Sequence, residues 1–93
     1  MQIKYSEHIE KRLQLRGIEH DLPKVIVEQA EERFFDNETG HLIAIMKTYL
    51  YNNIREVMVA YVMKKDYIKL LTIHPLKEGQ KNNRLKSGRW RKI

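Results

Sequence analysis

Residues 33–74 read RFFDNETGHLIAIMKTYLYNNIREVMVAYVMKKDYIKLLTIH, and the fold turns on how this stretch divides. Four runs, RFFD, HLIAIMKTYL, REVMVAYVM and YIKLLTIH, are rich in β-branched and aromatic side chains, which pack well on a pleated surface. NETG, YNNI and KKD separate them with turn-forming residues, so the spacing predicts a four-stranded antiparallel meander. In the third run Val57, Val59, Tyr61 and Met63 alternate with Glu56, Met58, Ala60 and Val62. Both faces of that strand are largely apolar, which places it centrally and demands that helices cover one face. Pro75 lacks an N–H and biases its predecessor toward extended geometry, so the fourth strand is expected to end at His74.

The cover is supplied upstream. Ser6 is a good N-cap for EHIEKRLQLR, Glu7 suits the positive end of the helix dipole, and Gly17 stands where a left-handed residue would end the helix. A first helix is predicted over 6–16. At about 100° per residue, His8, Ile9, Arg12, Leu13, Leu15 and Arg16 share one arc, apolar on one flank and basic on the other. Asp21 and Pro23 open a second predicted helix, whose stripe of Leu22, Val25, Ile26 and Ala30 runs to about Glu32. The expected fold is therefore α+β: two N-terminal helices on a four-stranded antiparallel β-meander, residues 1–76, followed by a basic C-terminal segment, residues 77–93. Leu76, Leu85 and Trp90 give that segment three apolar anchors, and it is expected to fold back on the core.

Charge is distributed unevenly. Residues 1–76 hold as many acidic as basic side chains, so the whole net charge of +6 resides in Lys77, Lys81, Arg84, Lys86, Arg89, Arg91 and Lys92 set against Glu78. Such concentration points to a polyanionic partner, RNA above all. The chain has no cysteine, which excludes disulfides, thiolate metal sites and cysteine nucleophiles. No stretch approaches the roughly 18 apolar residues of a membrane span, and MQIKYSEHIEKR lacks the apolar core of an export signal, so a cytoplasmic protein with no membrane partner is expected. The histidines do not fall at metal-ligand spacing and no glycine-rich phosphate loop is present, so neither metal nor cofactor is expected.

Internal transfer in RNA needs a base for the 2′-OH proton, an acid for the leaving 5′-oxygen and cations for the crowded phosphate. His74, at a strand end beside the basic segment, is the first candidate, with Arg89 and Tyr61 as further catalytic candidates. Tyr61 would lie on an open sheet face with Lys69 nearby. His8 and Arg12, four residues apart on one helix face, can meet a phosphate together. Arg84, Lys86 and Arg91 extend the nucleic-acid surface, and Trp90 between two arginines can stack on a base. His20 and His41 are read as turn residues. Each of these side chains also has an ordinary role: a strand-end histidine that packs, a surface pair on a helix, a tail anchored by Trp90.

The order YSEHIEKRLQLRGI, two helices, then a meander ending in LLTIHP resembles the RelE/ParE-like toxin superfamily, with its BrnT-type relatives nearest. The likeness rests on His8, Arg12, Arg16, Gly17 and Ile18 in the opening helix and turn. It implies a site on the exposed concave face near the last strands and metal-independent mRNA cleavage, often on the ribosome, with an acidic antitoxin protein as partner. His74 and Arg89 occupy positions suited to such a site, whereas the long segment after Pro75 departs from the pattern. A non-catalytic RNA-binding module and a protein-partner-binding member of the same fold are the alternatives the sequence leaves open.

Overall fold

The computed structural model describes all 93 residues, in the order β1 (Gln2–Tyr5), α1 (Glu7–Arg16), α2 (Leu22–Gln29), β2 (Glu32–Asp36), β3 (Leu42–Leu50), β4 (Asn53–Met63), β5 (Tyr67–Pro75), α3 (Gln80–Lys86) and β6 (Trp90–Lys92). The protein is α+β, with three helices and one six-stranded mixed sheet of order β1-β5-β4-β3-β2-β6. This corrects the expected four-stranded antiparallel sheet. β2 to β5 do pair antiparallel in sequence order, but β1 adds parallel to β5 and β6 adds antiparallel to β2.

Local chemistry accounts for most element ends. Ser6 accepts the Ile9 N–H through its hydroxyl at 3.1 Å, and its own hydroxyl donates to the Leu71 carbonyl at 3.0 Å, so one side chain caps α1 and ties it to β5. Gly17 ends α1 at φ 61°, and the following Ile18 N–H returns to the Leu13 carbonyl. Asp21 does not cap α2: it is itself helical in backbone and makes no side-chain cap bond. That helix stops at Gln29 rather than near Glu32, because Glu32 is already paired with Ile45 across β2 and β3. Tyr51 and Asn52, at φ 54° and 64°, make the two-residue left-handed turn that suits a tight hairpin between β3 and β4.

The fourth meander strand runs one residue beyond the expected end. Leu76 N–H donates to the Glu56 carbonyl at 2.9 Å, which makes Val57 and Pro75 a non-hydrogen-bonded pair. The proline's missing N–H therefore points away from β4, toward a side where β1 has already ended opposite Leu70.

The two sheet faces bury separate clusters. On one, Ala44, Val57, Val59, Tyr61, Leu70 and Ile73 pack against Ile9, Leu13, Ile18, Ile26 and Val27 of the two N-terminal helices. On the other, Phe34, Ile43, Ile45, Met58, Ala60 and Trp90 form a smaller cluster with Leu71 and Leu76 against it. α3 is fastened to this second face by Lys81, whose ammonium bridges Glu32 at 3.1 Å and Glu56 at 2.7 Å. No helix is long and apolar enough to cross a membrane.

Candidate functional site

β6 is held by one buried carboxylate. Asp36 is 3% exposed and accepts from Arg89 Nε and Nη2, from Trp90 Nε1 at 3.3 Å, and from the Glu38 and Thr39 backbone N–H groups. Burial alone would raise its pKa, but these donors, Arg89 first, outweigh desolvation and hold it down at about 2. Trp90 stacks on Phe34 with ring centroids 5.7 Å apart, which seals one end of the second face.

Between this corner, α3 and the end of β5 lies a cleft of about 270 Å³, floored by Ile43, Met58 and Ala60 and walled by His41, Thr72, His74, Gln80, Arg84, Arg89 and Trp90. Strand alternation explains the set: Met58 and Ala60 pair with His74 and Thr72, so the histidine projects on the same face as the apolar floor. His74 also borders two shallower depressions. One holds Ser6, His8, Arg12, His41 and Thr72, and the other Arg12, Arg16, Arg55, Lys77 and Gln80. The three hollows meet at His74.

His74 Nδ1 lies 3.3 Å from the Pro75 carbonyl oxygen. A carbonyl only accepts, so Nδ1 carries the proton and the lone pair of the neutral ring belongs to Nε2. Partial burial, and then the positive charges of Arg12, Arg16 and Arg84, lower the imidazole pKa from its ordinary value against the opposing pull of that hydrogen bond. The ring is thus neutral at pH 7 among guanidinium groups, a state suited to accepting a proton beside an anion. Of the residues lining the three hollows, Asp36 alone is a carboxylate, and Arg89 neutralises it. Arg12, Arg16, Arg55 and Arg84 take part in none of the ion pairs.

The sequence-derived site divides. His74, Arg84, Arg12 and His8 come together around the hollows. Arg89 borders the cleft, yet its guanidinium is spent on Asp36 and on Glu38 at 3.4 Å, so it is a wall and a fastener rather than a free cation. Tyr61 does not face the cleft. It is 4% exposed in the helix-covered cluster, and its hydroxyl accepts from Arg33 Nη1 at 3.0 Å. Its odd-numbered register with Val57 and Val59 puts it under the helices. Trp90 is 3% exposed and cannot stack on a base without leaving Phe34. Lys69 sits between Lys4 of β1 and Val62, outside all three hollows, and Lys86 is exposed at the far end of α3. Arg91 projects the other way, over the Phe35 ring at 4.7 Å.

Three residues were passed over. His41 borders both the cleft and the His8 hollow, and Arg16 and Arg55 line the third. His41 had a legible signal, since it precedes Ile43 and Ile45 by even steps and so shares their face. Arg55 had none, because its nearness to α1 arises from the packing of α1 beside the sheet. His20 is held elsewhere, stacked on Tyr5 at 4.4 Å and bonded to Glu10 at 2.9 Å. No three His, Asp or Glu side chains cluster in a way that would hold a metal ion. No protein-family model, curated protein or solved structure matches this chain.

Proposed function

We propose that this protein is a cytoplasmic RNA endonuclease of the RelE/ParE-like toxin type that cleaves single-stranded message by internal transfer at the cleft around His74. The observation that carries this reading is an imidazole whose Nδ1 faces the Pro75 carbonyl and whose Nε2 has no protein partner, set where three hollows lined by unpaired guanidinium groups meet. His74 Nε2 takes the 2′-OH proton, the 2′-oxygen attacks phosphorus, and the bond to the 5′-oxygen breaks. The leaving oxygen takes a proton from an acid across the cleft, for which His41 is the residue of the right class. Products are a 2′,3′-cyclic phosphate and a 5′-hydroxyl. Arg84 and Arg12 flank the imidazole, and their fixed charges favour the dianionic transition state more than the monoanionic substrate. An acidic antitoxin protein is the partner this reading expects, drawn by the same basic surface.

The test is incubation of purified protein with end-labelled single-stranded RNA in EDTA, with products resolved by length. His74→Ala should lower the rate about 100- to 10,000-fold, the usual contribution of a positioned base, and His41→Ala should lower it as well. Intact RNA bound with steep salt dependence would replace the enzyme by a binding module. Cleavage undiminished in both variants would remove the site.

A further inference from the structure

The hollow beyond His74 has chemistry of its own. It measures about 590 Å³, and Arg12 and Arg16 of α1, Arg55 of β4 and Lys77 after β5 face it with no carboxylate among its lining residues. None of these four cations is in an ion pair. The Nε atoms of Arg12 and Arg55 are buried from solvent yet make no hydrogen bond. Buried donors in folded proteins nearly always find an acceptor, so two guanidinium side chains that line one basic hollow and each keep an unmet N–H leave donor capacity that an anion seated there can take up as the side chains adjust to it. Arg55 is held only through Nη2 and its flat face: Nη2 donates to the Asn53 side-chain oxygen at 3.2 Å and to the Tyr51 carbonyl at 3.5 Å, and the guanidinium lies 5.6 Å from the Tyr51 ring, which leaves Nε without a partner. Tetrahedral oxyanions match such a set, because planar guanidinium groups donate in pairs to phosphate oxygens. The hollow is continuous with the catalytic cleft through His74 and Gln80, which line both.

We infer that the Arg12–Arg16–Arg55–Lys77 hollow is a second phosphate site, which holds the phosphodiester next to the one cleaved at His74. The substrate is then a strand with at least two phosphates, gripped by its backbone without base recognition at this point. This deepens the cleavage reading above and rests on it for the identity of the first phosphate. α1 and β4 supply the arginines from rigid elements, so the second phosphate sets the register of the strand and aligns the scissile bond with the imidazole.

The experiment uses 2′-O-methyl oligonucleotides, which cannot be cleaved: a dinucleotide with one internal phosphate, and the same dinucleotide carrying an added phosphate at its 5′ or its 3′ end. Affinities are measured by titration of the full-length protein across a salt series. In the wild type one of the two additions should raise affinity about tenfold, the scale of a charged hydrogen-bonded contact, and steepen the log–log salt slope by about 0.7. The gain should vanish in Arg55→Gln and in Arg16→Gln, the second an exposed residue whose loss leaves the core intact, and should survive in His74→Ala. No gain from either addition, or the same gain in both arginine variants, overturns the second site. If the gain behaves as described while RNA is never cleaved, the phosphate site stands and the nuclease reading alone falls.

Discussion

Replacing Asp36 by Asn tests the corner that shapes the cleft. The carboxyl's ordinary value of 3.8 falls to about 2 in the folded chain, so ionisation of this one group contributes about 2 kcal/mol at neutral pH. The group is almost wholly buried, so solvent screening removes little of this. Its folded pKa is depressed, so the contribution is complete above the unfolded value near 3.8 and is lost as pH falls through the folded value near 2. The asparagine keeps the shape but not the charge, and it leaves exposed Glu38 as the one carboxylate paired with the Arg89 guanidinium. Against a total stability of roughly 5–14 kcal/mol for a chain of this length, a loss of about 2 kcal/mol lowers the urea midpoint by about 1–2 M. Urea titrations of wild type and Asp36→Asn followed by far-UV circular dichroism should show the full gap at pH 6 and its closure toward pH 2. A gap equally large at pH 6 and at pH 2.5, or none at pH 6, would refute the claim that the charge of Asp36 fastens β6. The same reasoning governs Arg89: lost cleavage in an Arg89 variant reports a loosened corner unless its urea midpoint is unchanged.

Tyr61→Phe removes the acceptor for Arg33 and should cost about 1 kcal/mol, while the cleavage rate stays at the wild-type level; a fall in rate without a fall in stability would return Tyr61 to the catalytic set. Lys81→Met removes the link between Glu32 and Glu56 and should cost about 1 kcal/mol, with amide exchange faster in α3 than in α1 or α2; equal exchange changes in all three would show that α3 is held by something else. The acidic limb of the cleavage profile should lie below the ordinary histidine range, because burial and Arg12, Arg16 and Arg84 lower the His74 pKa, so activity is lost as pH falls through that lowered value. Arg84→Gln should move the limb upward, and a limb unmoved by it would mean that the titrating base is another group.

How much of this was legible follows from the range of each interaction. Ser6, Gly17 and the alternation of Val57, Val59 and Tyr61 act on neighbours within a few residues, and such signals sit in the chain itself. The four consecutive strands of the meander were readable for the same reason, each being joined to the next by a short turn. β1 and β6 were not. Each is too short for a period to show, and each becomes a strand only because a distant segment offers an edge: Ile3 opposite Ile68, and Trp90 opposite Asp36.

The site divides along the same line. The sequence by itself determined that the chain is α+β, that its excess charge is basic and C-terminal, and that His74 lies in the last residues of a strand next to that charge, since these depend on composition and local pattern. Only the tertiary structure decided that Arg89 is consumed by Asp36, that Trp90 is a buried anchor, that Tyr61 lies under the helices, and that His41, Arg16 and Arg55 gather about His74. A charge's partner and a side chain's face depend on which segments meet across the sheet. Burial and long-range pairing set that choice together, and neither is a property of any short stretch of residues.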